Sequence, residues 1–270
     1  MNSMQMIQKL FAPILIMSMI LLLGGCGQLS AEEVLEHTIR AMKEIQSYSS
    51  TSISNIEQAE GSHKVSSYKD TLITKAAYDP YKLYTKEMMS GDGKETGTDP
   101  FYYEQEVYVS DHTIYFNTFS TPNHWVKKEW HNDPLDLTKS FQFIQEHSEA
   151  FAFAEEDDLY RFSVDSTDDL FKSFWILIAA SSMEEKSGWN DEAFKNMVNE
   201  SELLGFQYEA AIDKDTYRQV SSKMTLKYKT KANANYPATT ISVHIKAQYA
   251  YNQQPNLKIP EPIVESAVAQ

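Results

Sequence analysis

Phe206-Gln207-Tyr208-Glu209-Ala210-Ala211-Ile212, followed by Asp213-Lys214-Asp215 and then Val220-Ser221-Ser222-Lys223-Met224-Thr225-Leu226-Lys227-Tyr228, reads as a hairpin. Bulky or apolar side chains mostly take every second place, and Gln, Glu, Ser, Thr and Lys fill most of the rest. Successive side chains of a strand point to opposite faces, so this alternation predicts strands with one buried face and one wet face. That pattern belongs to antiparallel sheets; strands of parallel sheets are buried on both sides and lose the alternation. Asp213-Lys214-Asp215 supplies the turn. Beyond a loop at 233–238 containing Pro237, Ile241, Val243, Ile245, Ala247, Tyr249 and Tyr251 repeat the alternation. The inner faces of such strands need a cover, and helices are the obvious one.

Upstream of this segment the chain offers more strands. Ser47 to Ile56, Lys64 to Tyr78 and Tyr81 to Met89 follow one another, with a turn at Asp79-Pro80 and another at Gly91-Asp92-Gly93. Phe101 to Val109 and Thr113 to Phe119 flank Ser110-Asp111-His112 as a hairpin, and Trp125 to Trp130 is a further short strand. Tyr160, Phe162 and Val164 alternate with Arg161, Ser163 and Asp165, which predicts a strand between helices. The acidic run Glu155-Glu156-Asp157-Asp158 before it reads as a solvated loop.

Helices account for the remaining apolar periodicity. Ser30-Ala31-Glu32-Glu33 is a capping box ahead of Val34, Leu35, Ile39, Met42 and Ile45. Asp133-Pro134 reads as N-cap and first residue of a helix carrying Leu137, Phe141, Ile144 and Phe151. A helix starting near Ser166 to Asp169 carries Leu170, Phe171, Phe174, Trp175, Leu177 and Ile178, the most apolar stretch after the N-terminal one. Trp189 to Val198 predicts one more short helix. The expected fold class is α+β: a single antiparallel sheet with helices packed on one face, in one domain over residues 31–270.

The N-terminus has a different logic. Lys9 precedes the apolar run from Leu10 to Leu23, only 14 residues long. A bilayer-spanning helix needs about 20, so this run has the length of a secretory signal core. Gly24-Gly25 follow, then Cys26, the only cysteine of the chain. Leu23-Gly24-Gly25-Cys26 resembles the lipobox of bacterial lipoproteins. The resemblance implies cleavage between Gly25 and Cys26 and a diacylglycerol, with palmitate-like chains, on the Cys26 thiol. Residues 1–25 are then a signal peptide, and 26–30 are the lipidated cysteine with a short linker. Two acyl chains suffice for stable anchoring, so the expected location is the extracytoplasmic face of the cell membrane.

Composition narrows the functions. The 270 residues carry 24 Lys and Arg against 38 Asp and Glu, a formal charge of -14. Such a surface repels phosphate backbones, so no nucleic-acid partner is expected. Removing the signal peptide takes away Lys9 and no acid, which leaves the anchored domain still more negative and repelled by an anionic membrane. A single cysteine excludes an internal disulfide and a Cys-rich zinc site. The chain has no G-x-S-x-G, H-E-x-x-H or Walker A pattern. His124 and His131 lie in a loop region without a third ligand, and His244 falls on a wet strand face. Asp213 and Asp215 lack the ligand series of a calcium loop and read as turn formers. No catalytic residue, metal or cofactor is expected.

Ala31-Glu32-Glu33-Val34-Leu35 through Gln46-Ser47-Tyr48-Ser49, the turn Ile212-Asp213-Lys214-Asp215-Thr216-Tyr217 and the tail Leu257-Lys258-Ile259-Pro260-Glu261-Pro262-Ile263-Val264 resemble Bacillus-type lipoproteins of unknown function. That group is similar to the LolA/LolB/LppX lipoprotein-localisation superfamily. The resemblance implies a curved, half-open barrel with helices plugging the concave side, and an apolar cavity between helices and sheet. Candidate cavity residues are then Leu170, Phe171, Phe174, Trp175 and Ile178, whose other reading is ordinary core. The expected function is a non-catalytic, membrane-anchored lipoprotein binding a lipid or other apolar ligand. The alternative is a surface interaction, scaffold or sensor module with a solid core.

Overall fold

A computed structural model describes residues 29–91, 100–118, 121–131, 134–183, 191–232, 237–253, 255 and 257–269. The signal peptide, Gly25, Cys26, Asp92 to Lys94 of the glycine turn, Asp133 and Trp189 lie outside the described residues.

The chain opens with helix α1 (Ala31–Lys43), then six strands: β1 (Ser47–Glu60), β2 (His63–Tyr78), β3 (Tyr81–Gly91), β4 (Phe101–Ser110), β5 (Thr113–Thr118) and β6 (Thr121–Glu129). Helix α2 (Lys139–Glu146), β7 (Ala152–Glu156), β8 (Leu159–Ser166), α3 (Leu170–Met183) and α4 (Asp191–Glu200) form the middle. Strands β9 (Glu202–Asp213), β10 (Gln219–Lys229) and β11 (Thr240–Tyr251), then α5 (Glu261–Ser266) and β12 (Val268–Ala269), complete it.

All twelve strands join one sheet in the order β12-β6-β5-β4-β3-β2-β1-β11-β10-β9-β8-β7. Two meanders, β1 to β6 and β7 to β11, are sewn together where β1 pairs antiparallel with β11, from Tyr48 opposite Tyr251 to Ala59 opposite Thr240. The end strands do not pair with each other, so the sheet stays open. One hydrophobic cluster nevertheless joins Leu83, Val109 and Ile114 from one wing with Phe206, Ile212 and Leu226 from the other. A sheet this wide brings both wings to one core only by curving, and the helices fill the concave side. The expected α+β architecture is the one observed.

Local chemistry explains the element ends. Ser30 caps α1: its Oγ accepts from the Glu33 amide at 3.2 Å, and Glu33 Oε2 accepts from the Ser30 amide at 2.8 Å. The β4–β5 turn places Asp111 and His112 at φ 52° and 61°, the left-handed pair that matches strand twist in a two-residue hairpin. Asp213 Oδ1 accepts from the amide and hydroxyl of Thr216 at 2.9 and 2.6 Å, so its carboxylate is committed to the turn.

Four expectations need correction. The helix expected at Asp133-Pro134 begins at Lys139 instead; Asp136 Oδ1 accepts from the Thr138 amide at 2.9 Å and turns the chain there, so Pro134 lies in the approach. Glu155 and Glu156 are strand, not loop: β7 pairs with β8, and only Asp157-Asp158 form the turn. Exposed acids remain compatible with an edge strand, which composition alone does not reveal. One helix departs from the single-face arrangement. Short α5 packs Ile263 against Trp125, Tyr108 and Tyr115 on the convex side. The sheet also contains one parallel pairing, β12 against Val126 and Lys127 of β6.

Candidate functional site

Helix α3 begins where Asp168 Oδ1 accepts from the Leu170 amide at 2.8 Å. Its aromatic side chains point into the core, with Phe171, Phe174 and Trp175 at 2%, 0% and 7% exposure. The Phe171 ring stacks on Phe206 of β9 at 5.1 Å. Phe174 stacks on Phe143 at 4.6 Å and meets Tyr208 edge-on at 4.9 Å. These are contact separations for rings, so Phe171 and Phe174 fill the gap between α3, α2 and β9. Leu170 and Ile178 are half-buried against the same cluster. Trp175 reaches further, to Phe194 of α4 and to Tyr228 of β10, 4.7 Å away.

Tyr228 marks the border of a second region. On the concave face, burial falls along the strands. Ala76, Thr74 and then Leu72, Asp70 and Tyr68 run from buried to half-buried on β2; Leu83, Thr85, Glu87 and then Met89 do so on β3. Strand β4 passes from Val109 and Val107 through Gln105 and Tyr103 to Phe101, which is exposed. On β11, Ala247 is buried but Ile245, Val243 and Ile241 are half-covered. The register places Ser54 opposite Ile245 and Ile56 opposite Val243, and Tyr68 opposite Ile56. The result is a trough at one end of β11, β1, β2, β3 and β4 that the helices leave part-covered. Its walls are Ile56, Leu72, Met89, Val243 and Ile245 with Tyr68 and Tyr103.

The electrostatics of the trough are lopsided. Burial raises the Tyr103 phenol to about 12, helped by the charges of Glu87 and Asp70. Burial raises Tyr68 as well, with Asp70 adding to it and a hydrogen bond from Gln58 opposing. The Tyr228 phenol rises through burial and then through its proximity to Tyr68. Tyr228 and Tyr68 sit on strands separated by β11 and β1, so their interaction is a further sign of curvature. All three phenols stay neutral at ordinary pH; Tyr68 and Tyr103 stand on the β2–β4 wall and Tyr228 beyond the aliphatic β11 wall, on β10.

A cleft of about 520 Å³ opens at the same end of β1, β2 and β3, lined by Asn55, Ile56, Glu57, Ser67, Tyr68, Lys69, Ser90 and Gly91. Asn55 faces Lys69, Lys69 faces Ser90, and Glu57 faces Ser67, so these five project from the convex side. This cleft mixes those five polar side chains with Ile56 and Tyr68 and was not foreseen; strand alternation announces faces, not hollows.

The other candidates are dispersed. His131 Nε2 lies 3.2 Å from Glu129, both largely exposed. His244 is exposed and shares a hydrogen bond with Thr225 at 3.2 Å. Among the described residues, no group of three His, Cys, Asp or Glu is placed to hold a metal, and no helix is long and apolar enough to cross a membrane.

A family of unknown function, DUF6612, matches residues 30–268. A search of curated proteins returns no match. Solved structures similar to this chain include a LolA superfamily protein from Nitrosomonas europaea, at 6% identity, 86% of this chain, 98% of that one and a TM-score of 0.23. A DUF1329 family protein from Desulfovibrio piger shares 8% identity over 83% of this chain and 93% of its own, with a TM-score of 0.26. A β-barrel-like DUF1849 protein from Brucella abortus shares 6% over 77% and 100%, with a TM-score of 0.19. A LolA superfamily member thus stands among the similar structures, as the sequence resemblance implied. The superpositions are loose, and the architecture rests on this chain's own strand order.

Proposed function

We propose that this chain, which belongs to the DUF6612 family, is a non-catalytic lipoprotein that takes an apolar chain into the trough on the concave face of its sheet. In this reading it is held at the extracytoplasmic face of the membrane by acyl chains on Cys26. The observation that carries the binding half is the burial gradient: Val243, Ile245, Ile56 and Leu72 face inward yet stay half-covered, where an ordinary core would close over them. Covering such surface with an acyl chain gains about 25 cal/mol per Å². The neutral phenol of Tyr68 offers a hydrogen bond to a polar end, the Tyr103 hydroxyl being turned to Met89 Sδ, and Trp175 stands behind the trough against Tyr228. Anchoring confines the protein to one membrane, so it would hold or hand over its ligand locally.

The contact-distance stacking of Phe171 and Phe174 favours a second reading for that part of the interior, a solid core under an interaction or sensor module. Two measurements separate the readings. Mass spectrometry of organic extracts from natively purified protein should find a lipid, and a fluorescent fatty acid should bind saturably. Val243→Glu and Leu72→Glu should abolish both signals while the far-UV spectrum stays native. The absence of both co-purified lipid and saturable binding in the wild type refutes the trough reading. Anchoring is tested separately: labelled palmitate should enter the wild type and not Cys26→Ala.

A further inference from the structure

We infer that the convex face of β10, β11, β1 and β2 docks onto the anionic headgroups of the bilayer. The inference rests on the anchored reading above. Lys223, Lys227 and Lys229 of β10, His244 and Lys246 of β11 and Lys69 of β2 are all exposed. Each neighbours an inward-facing residue in its strand, so alternation puts all six on the side away from the helices. Lys223 stands directly opposite Lys246, a like-charge pairing that costs stability in an antiparallel ladder. The acids of this face are partly spent. Glu209 is shared by Lys223 at 3.0 Å and Arg161 at 2.9 Å, and Glu57 takes Lys64 at 3.3 Å. Among the described residues Lys69, Lys227, Lys229 and Lys246 have no ion pair.

In a chain with a formal charge of -14, these four lysines, with Glu202 opposite Lys229 as the nearest acid in the ladder, make this sheet face locally basic. The cleft opens in the same face, with Lys69, Asn55, Ser67 and Ser90 able to donate to a phosphodiester and the Glu57 carboxylate beside them held by Lys64 at 3.3 Å. An anchor at Cys26 would leave four residues before α1, a tether of at most ~14 Å. The domain is therefore held within reach of the membrane field, which decays over about 8–10 Å. Repulsion of the acidic remainder and attraction of this face together turn the convex side toward the lipid, and the helices and trough away from the headgroup plane.

The test uses the lipidated full-length product in vesicles of phosphatidylcholine alone or with phosphatidylglycerol, read by lysine-by-lysine labelling with a membrane-impermeant amine reagent. On the anionic vesicles, labelling of Lys69, Lys227, Lys229 and Lys246 should fall several-fold, while Lys43 and Lys139 on the helices stay unchanged. Salt near 1 M, where screening is down to about 3 Å, should restore it. Lys227→Glu combined with Lys246→Glu should remove the protection of Lys69 and Lys229, at about fivefold per lysine lost. Lys43→Glu combined with Lys139→Glu, the same charge change elsewhere, should not. Equal labelling on both vesicles overturns the inference, as does protection by soluble polyphosphate without protection by anionic vesicles. Failure of the anchored reading looks different: the protein would not associate with the neutral vesicles at all.

Discussion

Replacing Phe174 by Ala is the sharpest probe of whether the space beneath α3 is filled. Phe174 is 0% exposed. Its ring has neighbours at 4.6 Å (Phe143), 4.9 Å (Tyr208) and 5.9 Å (Phe206 and Phe151). A buried Phe→Ala change costs about 3–5 kcal/mol, the upper part where the surroundings cannot collapse. Each ring pair adds about 0.5–1.5 kcal/mol beyond area burial, and these neighbours are anchored on three different elements, so relaxation is restricted. The expected loss is about 4 kcal/mol, roughly a quarter or more of a typical domain's stability. In urea, with a slope of about 3 kcal/mol per M for a domain of this size, the midpoint should fall by about 1.3 M at unchanged slope. Val243→Ala, in the half-covered trough, should cost only about 1 kcal/mol. A loss below about 1.5 kcal/mol for Phe174→Ala would mean the ring already borders empty space, and the filled-interior reasoning would be wrong.

Other consequences are equally concrete. Ser30→Ala should lower stability by about 1 kcal/mol through loss of the α1 cap. Hydrogen bonds from the Ser30 amide and hydroxyl hold the Glu33 carboxyl below its usual range. That contribution is present above the ordinary carboxylate pKa and lost as pH falls through the lowered value, so the acid sensitivity seen in equilibrium unfolding should shrink in Ser30→Ala. Ile263→Asp should release α5 from Trp125, shift tryptophan emission to the red and cost about 1.5–3 kcal/mol; an unchanged spectrum would show that the tail does not cover Trp125. In Glu87→Gln, the Tyr103 phenol should titrate below its value of about 12 in an ultraviolet titration, because one of the two carboxylates that raise it is gone. In the wild type, the stability linked to Tyr103 is present below about 10 and is lost as pH rises toward 12.

Much of this architecture is carried by local alternation. Phe206 to Ile212 and Val220 to Tyr228 state their inner face outright, because pleating makes facing a matter of parity. The Ser30 and Glu33 cap is equally legible, since both partners lie within one turn. Asp133-Pro134 misleads because a good start signal is outbid by the turn at Asp136, and Glu155-Glu156 misleads because an edge strand tolerates acids that an inner strand would not. None of these local rules speaks of curvature.

The order of residues alone settled that the sheet is mainly antiparallel, which strand faces are wet and dry, and most of the helices that cover it, since each depends on neighbours a few positions apart. The pairing of β1 with β11, about 200 residues distant, required the folded chain. So did the reach of α3, which fills one half of the concavity with Phe171 and Phe174 and leaves Val243, Ile245 and Leu72 half-open. Whether an inward face becomes core or trough depends on how far a helix extends over a bent sheet, and that length is set by packing between elements remote in sequence.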